Sequence, residues 1–388
     1  MSPAADRTSV RGGADALSPA EGELLSGSDA RVASPAPPEE MPRLRLTRGR
    51  MIAFAVFVVS AVAFLYFVLP RIAGSHGLKD SWSTIDRGDP WWLALAALFE
   101  VLSFLGYVAL FRAVFVRGSG RVDWRESYQI TMAGLAATRL FAAAGAGGVA
   151  LTAWALRRSG LEARIVACRM IAFMGLLYGV YMAVLVLDGL GLALDLLPGP
   201  APFAITVVPA IFGAATLVVM LSVSLLPGDF ERRLGRWAQG RGRFAQLARR
   251  VATGPASTAT GVRTALHLIR SGNPQVLGAI GWWGFDIAVL WACFHAFGSG
   301  PEIPVVIMAY FVGMLANVLP LPGGIGGVDG GMIGAFAAFG VDIDVAVVAV
   351  LSYRVFSFWL PTVPGVVAYL QLRRTVHRWD EEPARATA

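Results

Sequence analysis

Glu100, Arg139, Arg169, Asp286, Asp329 and Arg354 all lie inside long apolar runs of the chain. A charge at the depth of a bilayer costs about 2.5–3.5 kcal/mol on insertion scales, so such residues face the protein interior and pair, or line a polar path. An arginine fork matches phosphate oxygens, and a carboxylate serves as its resting counter-ion. Arg139, Arg169 and Arg354 with Asp286 and Asp329 therefore suit a site for an anionic head group. The plainer reading of each residue is an internal salt bridge that fixes helix packing. Arg354, in LSYRVFSFW, is too near the middle of its run to snorkel and is expected to face inward near Asp329 or Asp286. Arg112 and His295 lie close enough to interfaces to be set aside.

Asp329 belongs to an unusual stretch, LPLPGGIGGVDGG, Leu319 to Gly331, set between IPVVIMAYFVGMLANV and MIGAFAAFGV. Irregular backbone at membrane depth is tolerated only where protein or trapped water satisfies its polar groups. Pro320 and Pro322 stop a first half-helix, and Gly323, Gly324, Gly326 and Gly327 permit a turn and close approach of other backbones. A second half-helix starting near Val328 places its free N–H groups beside the break, where an anion can be held. Asp329 then caps that helix or carries function. A dinucleotide fingerprint fails because Asp329 stands where a third Gly belongs, and a phosphate loop fails for want of its Lys. Packing is the alternative role, through the small pairs Gly326/Gly330 and Gly330/Gly334.

The elements that must carry these residues follow from composition. With 388 residues, 56% hydrophobic and 15% charged, and a mean hydropathy of +0.60, this is an all-α polytopic membrane protein. Residues 1–42 are rich in Pro, Ala, Ser and acid and are expected to form a disordered cytoplasmic tail. The membrane domain is 43–374, followed by a second cytoplasmic tail, 375–388. Full spans are expected at Met51–Leu69, Trp91–Val116, Ala163–Leu187, Phe203–Leu226, Pro274–Phe297 and Asp344–Leu372. Two further apolar runs are broken, Ser127–Leu156 at AAAGAGG and Ile303–Val341 at the stretch above.

The net charge of +7 comes almost wholly from Arg, which suits topology-setting clusters and anionic lipid better than nucleic acid. Arg43 to Arg50, Arg117 to Arg125 and Arg157 to Arg164 mark cytoplasmic flanks, as does the basic loop 227–273 with its interfacial-helix segments FERRLGRWAQ and RFAQLARRVA. Asp188 to Pro202 holds no Arg or Lys and is expected outside. Each broken run then begins and ends on one side, as a re-entrant hairpin. The order span, hairpin, span over 91–187 repeats upside down over 274–372, an inverted repeat of the kind alternating-access transporters use. Cys168 and Cys293 fall in apolar runs, read as small buried hydrophobes, and no metal or cofactor is expected.

NVLPLPGGIGGVDGG, then AAFGV, then LSYRVFSFWLPTVPGVVAYL, resembles the membrane domain of the lysylphosphatidylglycerol synthase/flippase family (the UPF0104 group). In that pattern Pro320, Pro322, Gly323, Gly324 and Gly326 keep their places, with Asn317 just ahead of the break. Asp329 stands where Glu is usual, and Arg354, Pro361 or Pro364, and Gly365 continue it. The family's first element, P-x-R-x-G-E, is matched only by Arg139 and the glycines that follow, without the Pro or the Glu. The resemblance implies a lipid or lipid-linked-precursor translocase without a synthase domain, located in a prokaryotic cytoplasmic membrane with both termini inside. It would work on anionic or phosphate-bearing lipids, alongside an enzyme that makes them, and would not itself be an enzyme. The alternatives are a membrane-embedded transferase, for which Asp342/Asp344 or Asp86/Asp89 could be offered, and a non-transporting assembly factor.

Overall fold

The computed structural model describes residues 88–116, 122–140, 146–225, 253–298, 300–318 and 326–386. Two apolar stretches that hydropathy marks as whole spans become single long helices, α1 (Pro90–Phe115) and α4 (Ala163–Ala193). Between them the broken run folds as two short helices, α2 (Trp124–Leu140) and α3 (Ala146–Arg158). A fifth helix, α5 (Phe203–Ser224), and α6 (Thr253–Arg270) lie against α4. The order of the first unit then recurs: α7 (Gly278–Ala296), led by a 3-10 turn Pro274–Leu277; the short pair α8 (Ile303–Leu315) and α9 (Gly327–Ala338); and α10 (Ile343–Arg354). A π-helical turn, Val355–Trp359, joins α10 to α11 (Leu360–Ala386).

No strand occurs among the described residues, and five helical stretches are long and apolar enough to cross a membrane. They coincide with five of the six expected spans. The sixth, Met51–Leu69, lies outside the described residues, as do the N-terminal tail and both interfacial segments, FERRLGRWAQ and RFAQLARRVA. At 1.5 Å per residue α2, α3, α8 and α9 are only about 18–26 Å long, too short to cross about 30 Å of hydrocarbon. They are the arms of the two expected hairpins.

Within the basic loop 227–273, residues 253–270, beyond the two expected interfacial segments, are also helical. Ala259, Val262, Ala265 and Leu268 make a buried stripe on α6, at a spacing that keeps one helix face inward. Gly261 lets that face approach closely, since a Cβ there would stand 2.9 Å from the Cys168 carbonyl oxygen of α4.

Glycine sets the closest contacts elsewhere too. Helices α1 and α7 run antiparallel: the amide of Asp89, before α1, donates to the carbonyl of Ala296, at the end of α7 (2.9 Å). Further along, a Cβ on Gly278 would be 2.2 Å from the Gly106 carbonyl oxygen. Without side chains at that crossing the two backbones touch, which is how helices associate when lipid offers no hydrophobic drive. The first helices of the two units therefore oppose each other in direction, as an inverted repeat requires.

Both hairpins close the same way, Gly148 against Gly134 and Gly313 against Gly331. The pairs Gly326/Gly330 and Gly330/Gly334 do no such work. A Cβ on any of these three glycines would meet nothing within 4 Å, so the expected packing role passes to Gly313 and Gly331. Ser103 Oγ donates to Trp282 O (2.9 Å), Tyr181 Oη to Phe311 O (2.6 Å) and Trp283 Nε1 to Leu177 O (2.8 Å), tying α1 to α7 and α4 to both α8 and α7. Cys293 is fully buried and Cys168 half-buried, and neither is in a disulfide.

Candidate functional site

The antiparallel register of α1 and α7 brings Glu100 opposite Asp286, midway along both helices. Glu100 is 3% exposed and Asp286 7%, and their carboxyls lie against each other. Asp286 is held by two phenols, Tyr310 of α8 and Tyr353 of α10 (3.0 Å from the latter), each donating to its Oδ2. The Glu100 Oε2 oxygen is buried without a hydrogen-bond partner.

Arg139, at the end of α2, reaches the same cluster from the other side. Its charge acts on both carboxyls and against Arg354. Its Nη2 donates to Ser357 O (2.7 Å) and its Nη1 to Phe358 O (3.3 Å), within the π turn, and the guanidinium lies near the rings of Phe104 and Phe358. The sequence explains why those carbonyls are available. Pro361 has no N–H to give the Ser357 carbonyl four residues before it. Thr362 Oγ1 shares the Phe358 carbonyl with Arg139 (2.6 Å).

Arg354, the last residue before the π turn, pairs through Nε with Asp329 of α9, as its mid-run position requires. Their side chains are 13% and 10% exposed. The other oxygen of Asp329 accepts the amide of Gly326 (2.9 Å) at the start of α9. That bond is the side-chain half of a capping box. Its usual reciprocal half is missing because Gly326 has no side chain. Gly326 itself sits at φ +82°, in the left-handed region, which is why a glycine begins this helix. The helix starts at Gly327, one residue before the expected Val328.

The structure thus gathers Arg139, Asp286, Asp329, Arg354, Gly326 and Gly327 around one end of each hairpin. Asn317 lies exposed in the 3-10 turn that ends α8, its amide donating to Met314 Sδ (3.2 Å). Pro320, Pro322, Gly323 and Gly324 lie outside the described residues. Arg169 is not part of the group. Its Nη1 donates to the carbonyl of Phe115, the last residue of α1 (3.1 Å), about 22 Å along that helix from Glu100 at 1.5 Å per residue. It satisfies a carbonyl that the helix end leaves open.

Glu100, Tyr310 and Tyr353 complete the cluster without having been placed in it from sequence. Glu100 stood out as an ionisable residue in an apolar run, but nothing linked it to Asp286. The tyrosines gave no signal beyond lying in spans. Among the described residues no group of His, Cys, Asp and Glu could hold a metal ion.

Long apolar helices, two short helical pairs and a buried charge cluster define an all-α multi-pass membrane protein. The family model for the lysylphosphatidylglycerol synthase TM region matches residues 51–365, and the chain belongs to that family. A UPF0104 membrane protein of the archaeon Methanothermobacter thermautotrophicus is 27% identical over 81% of this chain and 93% of its own length. A UPF0104 membrane protein of Methanocaldococcus jannaschii is 34% identical over 24% of this chain and 28% of its own.

Proposed function

We propose that the protein is a flippase-like translocase that moves a lipid or lipid-linked precursor with an anionic head group across a prokaryotic cytoplasmic membrane. The observation that carries this reading is the Arg354–Asp329 ion pair set against the amino end of α9 at the depth of the spans. A phosphate arriving there replaces Asp329 on two counts at once. It takes the arginine fork, and it meets the free N–H groups and positive dipole end that the carboxylate now serves. The Asp329 side chain is a resting counter-ion in the shape of its own substrate. Gly326 and Gly330, exposed and without neighbours on their Cβ side, leave room for the head group along this end of the helix. Arg139 is a positioning residue: it holds the π turn and so fixes Arg354 at its mouth.

Two of the acids offered for the transferase alternative have a capping role. Asp342 accepts the amides of Asp344 and Val345 and so begins α10, and Asp89 accepts the amide of Trp91 and so begins α1. Asp86 lies outside the described residues. The Arg-rich flanks support cytoplasmic termini, with the Arg- and Lys-free loop after α4 outside. In intact cells, single cysteines in residues 194–202 should then react with an impermeant maleimide, and single cysteines in 230–250 only after lysis; the reverse pattern refutes the sidedness.

The activity is tested by reconstituting purified protein into vesicles carrying fluorescent phosphatidylglycerol or fluorescent phosphatidylcholine and quenching the outer leaflet. Faster loss of the protected signal for the anionic probe is expected. Rates equal to those of empty vesicles for both probes would remove the translocase reading.

A further inference from the structure

A cavity of about 720 Å³ opens at the far end of α4, between that helix, the loop after it and the start of α8. Its wall is apolar, with Leu187, Leu197, Ile303 and Ile307 prominent, and two carboxylates interrupt it, Asp188 and Glu302. Asp188 is 6% exposed, and its Oδ2 is buried with no hydrogen-bond partner. Glu302 occupies the N-cap of α8 but makes no capping bond, so its exposed carboxylate is not committed to the helix. None of the described residues lining the cavity is Arg or Lys, and 188–202 contains neither.

The pocket is built rather than a gap in packing. The amides of Leu196 and Leu197 both bond to the Gly191 carbonyl (2.9 and 3.1 Å), and a Cβ on Gly191 would strike Leu197 at 2.5 Å. A buried carboxylate in apolar surroundings is strongly unfavourable unless it takes up a proton or a cation pairs with it. Among the described residues no cation lines the cavity, which leaves the charged form of Asp188 open to a cation from outside. A bare metal ion needs several oxygen ligands, which two carboxylates on separate elements do not provide. Nine of the eleven described lining residues are apolar, which suits a hydrocarbon chain attached to the cation.

We propose that this cavity binds an amphiphile with an ammonium head, the cation on Asp188 with Glu302 at the rim and the chain along the Leu and Ile side chains. This site is opposite in charge to the Arg354 end of the molecule, and the inference stands independently of the transport reading.

The test uses thermal unfolding of the full chain in a neutral detergent, with dodecylamine hydrochloride as probe. The controls are dodecanol (same chain, no charge), butylamine (same charge, short chain) and sodium or calcium chloride. Dodecylamine should raise the midpoint in a saturable way, and the controls should not. Asp188→Asn should shift the half-effect concentration of dodecylamine by about tenfold or more, the loss expected for a hydrogen bond to a charged group. Ile307→Trp fills the apolar part and should weaken dodecylamine while leaving the carboxylate in place. Equal stabilisation by dodecanol, an equal effect from butylamine or the salts, or an unchanged response in Asp188→Asn overturns the proposal. Should that variant not fold, the probe comparison on the natural protein together with Ile307→Trp decides it.

Discussion

Replacing Arg354 by Gln removes the cation and leaves the Asp329 carboxylate facing a nearly closed interior. Both side chains of the pair are about nine-tenths buried. Breaking a buried pair by deleting one partner costs about 3–5 kcal/mol, because the remaining charge is uncompensated. Asp329 keeps its bond from the Gly326 amide, which places the expected loss near the lower bound. At about 2–4 °C per kcal/mol for larger domains, the unfolding midpoint should fall by roughly 6–12 °C. Adding Asp329→Asn removes the orphaned charge while keeping an amide oxygen to accept the Gly326 amide, so most of that loss should return. Stability by itself does not separate a scaffold from a ligand site, since both predict this recovery. Transport does. Lipid movement measured in vesicles alongside the melting curve should stay absent in the double variant and be poorly restored by Arg354→Lys, whose point charge cannot present a fork. Activity that returns in step with the midpoint would refute the assignment of Arg354 to the head group and make the pair a packing device.

Two glycines four residues apart should respond in opposite directions. Gly326→Ala forces a side chain into a φ of +82° and should cost about 1–2 kcal/mol, whereas Gly330→Ala, in a helix with open space beside it, should gain up to about 1 kcal/mol, both read from melting curves. Gly278→Ala places a Cβ 2.2 Å from a backbone oxygen of α1 and should destabilise by about 1–3 kcal/mol, seen as lost monodisperse yield in size-exclusion chromatography. Arg139→Lys gives up the two-pronged hold on Ser357 and Phe358, at about 1.5–3 kcal/mol per charge-assisted bond lost. It should also speed proton–deuterium exchange in 355–362 more than elsewhere in the last helix; unchanged exchange there would show that the arginine does not hold the turn.

The spans could be read from sequence because apolar runs of the right length have few alternatives, and both breaks because Gly and Pro leave a mark that apolar flanks make conspicuous. Which face of each helix meets which neighbour could not. Helices such as α1 and α7 are apolar on every side, so periodicity carries no direction, and their register rests on Gly106 and Gly278, two glycines among forty-four. Arg354 is expected beside Asp329 or Asp286 because mid-run burial demands a partner and few are on offer, and it pairs with Asp329. Arg169 matches in type and burial, but it lies away from the others and donates to a backbone carbonyl, a contact that sequence does not display. Glu100 shows the converse, a residue visible in sequence whose meaning depends on what lies opposite.

The π turn before Leu360 has a consequence for how one continuous helix divides its loyalties. An α-helix advances about 100° per residue, so a turn widened by one residue resets the phase of everything beyond it by about that angle. Ahead of the turn, the Ala346–Tyr353 face is locked to α7 and α9. Past it, Gly365 lies against Ala136 and Met132 of α2, with Ala368 and Leu372 buried further on. An unbroken helix would carry a single azimuth and could not serve both partners in these positions. Deleting one residue between Val355 and Trp359 would thus mis-aim the whole distal segment, while leaving every side chain on it unchanged.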